Sequence, residues 1–354
     1  MHSYDFRHYQ EHSVTTVKVG VLGVGRMGLI HCREIAATPG LELVAVSSRA
    51  PELIKTARDS FPITVYSRHE ELLKDENVEW VVIATTTEKH KEWALKAISA
   101  GKELIIEKPI ALSLKEAEQI YESAAKKGLR VTVHNNRRWD QDFKLVRKVL
   151  KESTLGEVYR IDSRYTHYSD TWGAWGAEGV RNPWRLKKRY GGGLLNDWGP
   201  HLFDQLLLLT DSRVKTLFAK TFAKIWSREV EDHFWAEVLF ENRLSARVEA
   251  SNNFRIPQSR WCIVGTEGTL AVAGGDPSDW NVAVIRRKSD DFPEEIRFDI
   301  SQPELSIGFY QAFTQALQTS APLPVSPDQV LRVMRLIEAV RESDETNRSV
   351  LLEE

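Results

Sequence analysis

The chain has 354 residues, 42% hydrophobic and 28% charged, with a formal net charge of −2, a balance that gives no electrostatic reason for nucleic acid or an anionic membrane as partner. No apolar run approaches the roughly 18–20 residues of a membrane span. Two distant cysteines, Cys32 and Cys262, rule against a disulfide framework or a cysteine zinc site and fit a reducing cytoplasm.

The length allows two domains of roughly 100–200 residues each. Residues 1–16, MHSYDFRHYQEHSVTT, are too polar for a secretory signal and read as a disordered lead or an arm docked on a partner subunit. From Val17 the pattern changes. A short apolar strand through Leu22 runs into Gly23, Gly25 and Gly28, spaced G-x-G-x-x-G, and then into a helix ending near Gly40. One glycine makes a tight turn, one admits pyrophosphate to the backbone, and one lets the helix pack on the strand. The following residues Arg26 and Met27 open that helix, whose amides and dipole face the phosphates. A second strand, LELVAVSSR, ends at Ser47, Ser48 and Arg49. Sites for NAD usually carry an acid here, about 20 residues past the glycines, for the ribose 2′-hydroxyl. Two hydroxyls and a guanidinium suit a 2′-phosphate instead, so the sequence favours NADP over NAD.

Strands and helices continue to alternate. EWVVIA reads as a buried strand and leads into Thr85, Thr86, Thr87 and His90 at the start of a helix. ELII leads into Glu107, Lys108 and Pro109; Ser113 and Glu116 then form a capping box. LRVTVHNNRRW supplies a further strand with Asn135, Asn136 and Arg137 at its end. The alternation implies a doubly wound parallel sheet over residues 17–137, with ligands at the C-terminal ends of its strands.

Residues 138–354 read as a substrate-binding and oligomerisation domain. Seven β-type runs between Glu157 and Lys288, with few helices between them, predict a large, mostly antiparallel sheet. Helices around 307–318 and 327–343, with the helix after Gly193, cover one face. The other face carries Val, Phe and Trp with nothing obvious to cover it, which argues for a sheet-to-sheet homo-oligomer. A glycine-rich stretch before that helix holds Trp172, Trp175, Arg181, Asn182, Trp184 and Arg185. Aromatic faces there suit the C–H faces of a sugar ring, with the polar groups on its hydroxyls; plain packing explains any single tryptophan equally well.

In GGGLLNDWGPHLFDQ, residues 191–205, Asp197 and His201 stand one helical turn apart on one face. That spacing suits a carboxylate orienting an imidazole for proton transfer, and it also suits an ordinary amphipathic helix with an N-terminal acid.

Taken in order, the glycine motif, Glu107-Lys108-Pro109, NNRRW at 135–139, GGGLLNDWGPH, GTEGTL at 265–270 and PLPVSPDQ before the last helix resemble the Gfo/Idh/MocA family of NAD(P)-dependent oxidoreductases. The resemblance spans nearly the whole chain after Val17. It implies a Rossmann domain followed by an open-faced, mostly antiparallel sheet domain, with Lys108, Asp197 and His201 as the catalytic set. It also implies a pyranose, inositol, sugar acid, nucleotide sugar or dihydrodiol as substrate. HNNRRWD, residues 134–140, is similar to a subgroup of NADP-dependent scyllo-inositol dehydrogenases in that family.

The expected chemistry is hydride transfer between nicotinamide and a secondary ring hydroxyl. Lys108 polarises the oxygen, His201 moves the proton, and Asp197 fixes the imidazole tautomer, with no metal needed. Two other classes stay open: a redox-assisted glycosidase with tightly held NAD, and a non-catalytic dinucleotide sensor.

Overall fold

The computed structural model describes residues 16–168, 184–297 and 307–352. All but the last residue of the expected N-terminal lead lies outside them, as do Trp172, Trp175, Arg181 and Asn182.

The first half is built from β1 (Val17–Leu22), α1 (Arg26–Ala36), β2 (Leu41–Ser47), α2 (Pro51–Ser60), β3 (Thr64–Tyr66), α3 (His69–Lys74), β4 (Trp80–Ile83), α4 (His90–Ser99), β5 (Glu103–Ile106), α5 (Leu114–Ala125) and β6 (Val131–Val133). The strands pair in parallel in the order β3-β2-β1-β4-β5-β6. Central strands of such a sheet are buried on both faces, which is why β4 and most of β5 are continuous apolar runs. The order reverses between β1 and β4, where an α/β sheet opens a crevice at its strand ends. Ser113 does cap α5, accepting from Glu116 N at 3.3 Å, but the Glu116 carboxylate answers to Leu112 N at 3.2 Å, so the expected reciprocal box is displaced by one residue.

The second half runs through α6 (Gln141–Lys151), β7 (Val158–Thr166), α7 (Leu194–Leu207), β8 (Val214–Phe222), β9 (His233–Phe240), β10 (Ser245–Ser251), β11 (Trp261–Gly265), β12 (Gly268–Val272), β13 (Val282–Arg287), β14 (Glu294–Arg297), α8 (Ile307–Thr319), α9 (Pro327–Thr346) and β15 (Val350–Leu351). Its strands form a nine-stranded sheet, β14-β13-β12-β11-β7-β10-β9-β8-β15, antiparallel except for β7 beside β10. The pleat sorts side chains by parity. Phe234, Ala236, Val238 and Phe240 of β9, with Ala246, Val248 and Ala250 of β10, are buried beneath α7. α9 packs on β8 and on α7.

Two expectations are corrected here. α8 does not cover the second sheet: Phe313 meets Trp80 of β4 edge-on, and Tyr310 bonds His31 of α1, so α8 returns to the first domain. The uncovered face of the large sheet is not chiefly Val, Phe and Trp either. Its middle is a charged ladder in which Arg160, Asp162 and Arg164 of β7 and Arg247 and Glu249 of β10 pair with one another and with Glu237. Phe218 and Trp235, packed on each other, flank it. Strand parity, and not composition, put the charges on this side. Among the described residues no helix is long and apolar enough to cross a membrane.

Candidate active site

The glycine loop after β1 is shaped by close backbone approach. Gly23 has φ +98°, and a Cβ on Gly28 would sit 2.1 Å from the Gly23 carbonyl oxygen, so α1 lies against the turn as the motif requires. A Cβ on Gly25 would meet nothing within 4 Å: it would project into a cavity. No side chain caps α1 and its first turn carries no acid, so its amides are left for an anionic ligand. The cavity is lined by Gly23, Gly25, Arg26, Met27, Ser48, Arg49, Thr85 and Thr86, and also by His69, Lys89 and Trp93. These residues fit a dinucleotide pyrophosphate and adenosine. Ser47 is fully buried; its hydroxyl pairs with His69 Nδ1 at 2.8 Å and does not line the cavity. Burial, helped by Arg49, holds the His69 imidazole below the usual histidine range.

A second cavity of about 300 Å³ adjoins the first and shares Met27, Ala84, Thr85, Trp184 and Arg185 with it. Lys108, Asp197 and His201 meet there. Lys108 follows β5, and its bond to Pro109 is cis. Asp197 and His201 come from α7, a helix whose apolar sides are almost wholly buried between the large sheet and α9, which leaves one face toward the cavity. The glycines before it serve the protein's own packing. Gly193 has φ +102° and its Cβ position lies against the Glu231 carboxylate, while a Cβ on Gly192 would strike the Arg185 carbonyl. Glu231 takes the place of an N-cap, accepting from Leu195 N at 2.9 Å.

Lys108 Nζ donates to Asp197 Oδ1 at 2.9 Å and to the Asp197 carbonyl at 2.6 Å. The other carboxylate oxygen, Oδ2, lies 3.4 Å from Arg185 Nε. Asp197 therefore clamps the lysine and does not hydrogen-bond His201, whose Nδ1 is buried without a partner. The expected tautomer-fixing contact is corrected on this point: at i, i+4 the two side chains share a face, but the full cation next to the carboxylate is the stronger partner. Burial, then the Lys108 and Arg137 cations, hold the His201 imidazole well below the usual range, with Glu107 and Asp197 opposing.

Thr87, His90, Glu107, Pro109, Asn136, Arg137, Trp184 and Arg185 also line this cavity. His90 ties the loop after β4 to the Pro109 carbonyl at 2.9 Å. Gly28 and Asn135 line neither cavity. Sequence reasoning missed Tyr165, His167, Trp198, Asp276 and Pro277. Tyr165 stacks on Trp198, Arg137 lies 4.3 Å over the Trp198 ring, and Trp280 stands edge-on behind them. His167 Nδ1 is 3.2 Å from Asp276 Oδ2. The aromatic wall described here thus rises from β7, α7 and Trp280. Trp198 lay inside the quoted helix motif, one residue past Asp197, and its position was the available signal.

Comparison with known proteins bears directly on this arrangement. Residues 17–135 match the family described as "Oxidoreductase family, NAD-binding Rossmann fold", and residues 143–271 match the "GFO/IDH/MocA C-terminal domain". The chain is 30% identical to an uncharacterized oxidoreductase of Schizosaccharomyces pombe, over 96% of this chain and 99% of the relative. It is 27% identical to the scyllo-inositol 2-dehydrogenase (NADP(+)) of Bacillus subtilis, over 96% and 97%. A solved NAD-binding protein from Listeria innocua superposes with a TM-score of 0.81 at 32% identity, covering 95% of this chain and 97% of that one. The chain belongs to the Gfo/Idh/MocA family of NAD(P)-dependent oxidoreductases.

Proposed function

We propose that this oxidoreductase moves a hydride between a nicotinamide dinucleotide, NADP in preference to NAD, and a secondary ring hydroxyl of a sugar or cyclitol. The observation that carries the reading is the continuity of the two cavities, which brings the dinucleotide cradle to Lys108, Asp197 and His201 through shared wall residues. The bound nicotinamide supplies the hydride chemistry. The chain's residues handle the proton. An ammonium has three donors. Asp197 takes two of those on Lys108, and the third is left for the substrate oxygen as alkoxide character develops. His201, kept neutral by its surroundings, accepts the hydroxyl proton on oxidation and returns it on reduction.

The choice of a ring polyol rests on the Tyr165–Trp198 wall, on Trp184, and on the polar groups Arg137, Arg185, His167 and Asp276 around one small cavity. A short alcohol offers no ring face to that wall and no further hydroxyls to those polar groups. The B. subtilis relative named for scyllo-inositol and NADP(+) supports both choices. Ser48 and Arg49 beside the adenosine end, with no acid at that strand end, favour the 2′-phosphate. The charged ladder with Phe218 and Trp235 is the surface we assign to a homo-oligomer, in a cytoplasmic setting that suits two unpaired cysteines. A panel of inositols, aldopyranoses, sugar acids and simple secondary alcohols, followed by reduced-cofactor absorbance with NAD and NADP, tests the reading. Catalytic efficiency on an isopropanol-type alcohol equal to that on the best ring polyol overturns it.

A further inference from the structure

From Glu107 in the cavity wall a buried polar cluster runs inward, and the proton transfer gives it no part. His31 comes from α1, Glu107 from the end of β5, His134 from the end of β6 and Tyr310 from α8, and none is more than 6% exposed. His31 Nε2 lies 2.9 Å and His134 Nδ1 3.0 Å from the same oxygen, Glu107 Oε1. The other oxygen, Oε2, accepts from the backbone N–H of Lys108 at 3.1 Å. The Tyr310 hydroxyl is 2.7 Å from His31 Nδ1.

The protons can be assigned. A carboxylate only accepts, so both ring nitrogens facing Oε1 carry hydrogen. The Tyr310 hydroxyl faces the remaining nitrogen, Nδ1, so both nitrogens of the His31 ring are engaged. His134 presents its remaining nitrogen to Glu34 Oε2 at 3.6 Å. Burial lowers the His134 pKa, but its hydrogen bond to Glu107 and the nearby Glu34 carboxylate outweigh this and raise it to about 9, so the ring is a cation at neutral pH. Burial raises that of Glu107, but the His134 and His31 bonds outweigh it and hold the carboxyl well below its usual range.

We propose that Glu107 is a positioning residue for the reaction: clamped by His31 and His134, it fixes the backbone of Lys108 and sets a negative charge at the cavity wall that opposes the cations around His201. Those cations are Lys108 at the end of β5 and Arg137 after β6; Asp197, on the same helix as His201, acts in the same sense as Glu107. His90, on α4, also feels the Glu107 charge. One carboxylate thereby ties together α1, the end of β6 and the loop that carries the lysine, with α8 joined to it only through His31. The assignment rests on the reading of Lys108 and His201 given above.

The sign of the effect is testable. Removing the Glu107 charge leaves His201 harder to protonate, so the acid limb of the oxidation profile moves to lower pH. Removing the His134 cation leaves Glu107 less neutralised and moves the limb to higher pH. Glu107→Gln and His134→Gln are therefore expected to shift the His201 titration in opposite directions. Each shift is about 0.5 unit, less than the roughly 1–3 units given by an opposite charge in direct contact. It is read by NMR on the full-length protein with labelled histidine, the His201 signals being those lost in His201→Asn. This titration needs no substrate, so it stands apart from a failure to turn over any polyol. In turnover, Glu107→Gln is expected to lower kcat by about 10-fold or more, in line with a misplaced catalytic group, while KM and dinucleotide affinity stay near wild type. Shifts of the same sign in the two variants, or no shift in either, overturn the proposal. Should Glu107→Gln not fold, His134→Gln is read alone, and an unmoved or lowered titration overturns it. The three side chains His31, Glu107 and His134 also stand close enough to ligate a metal ion. Stoichiometric metal in the purified protein would replace the hydrogen-bonded assignment and overturn the proposal as well.

Discussion

Lys108 Nζ binds Asp197 twice, at the carboxylate Oδ1 and at the backbone carbonyl, across the junction between the parallel sheet and the large sheet domain. The lysine is aimed by a residue 89 positions away, and the pair closes the cavity at the point where the two domains meet.

Lys108→Ala and His201→Ala are expected to lose catalysis while keeping dinucleotide affinity, because both face the second cavity and neither lines the first, proposed for the adenosine. The loss is on the order of 100-fold or more in hydride transfer. Single-turnover absorbance, with cofactor binding followed by fluorescence, checks it. Transfer near the wild-type rate in either variant removes that residue from the chemistry.

Arg49→Asp should weaken NADP binding and spare NAD. Arg49 lines the cavity proposed for the adenosine, and an acid at that strand end repels a 2′-phosphate. Calorimetric titration of the variant and wild type with both cofactors decides this. Equal affinity of the wild type for NAD and NADP means the loop does not discriminate.

The pH profile has a definite sign. On the proposed mechanism oxidation needs a neutral His201, and the folded protein holds that imidazole well below the usual histidine range. Oxidation should therefore persist below pH ~6.5, where an unperturbed histidine is half protonated. The linked cost falls on stability: the unfolded chain takes up a proton there that folded His201 refuses, so its contribution declines as pH drops below the unfolded value. His134 works the other way. Its raised folded pKa of about 9 stabilises fully below its unfolded value and is lost as pH rises through about 9. Thermal melts between pH 6 and 10 should fall less steeply for His134→Gln than for wild type.

Gly193→Ala should unsettle the start of α7. The backbone is at φ +102° and the new methyl would meet the Glu231 carboxylate, so a loss of about 1 kcal/mol or more is expected, with kcat falling further than cofactor affinity. A melt and a kcat unchanged from wild type would show that the loop relaxes freely.

Arg138→Ala should be the most destabilising of these changes. Arg138 donates to Asp204 on α7 at 2.7 Å and to the Pro324 carbonyl at 2.6 Å, and both members of the ion pair are buried. Removing one partner leaves a buried carboxylate uncompensated, at about 3–5 kcal/mol. Denaturant unfolding measures it, and a change below 1 kcal/mol would mean that water reaches Asp204.

The sequence by itself determined what local pattern can encode. The glycine loop, the strand–helix alternation and the strands of the large sheet are short-range signals of turn chemistry and side-chain period. Asp197 and His201 were legible as one helix face because an i, i+4 pair needs no tertiary information. Lys108 was legible through its place at a strand end. What the fold decided was which groups meet. Asp197 turned to Lys108 and Arg185 instead of His201, since a full cation brought in from another strand outbids a neutral ring on the same helix. Ser47 turned inward to His69, because the strand pleat gave its side chain the core side. α8 went back to the first sheet, where Tyr310 and Phe313 found His31 and Trp80, although its apolar pattern would have served either domain. The His31–Glu107–His134 cluster joins residues 31, 107 and 134 through one oxygen atom. No spacing along the chain encodes such a meeting, because it depends on where separate strands and helices end up beside one another once the core has packed.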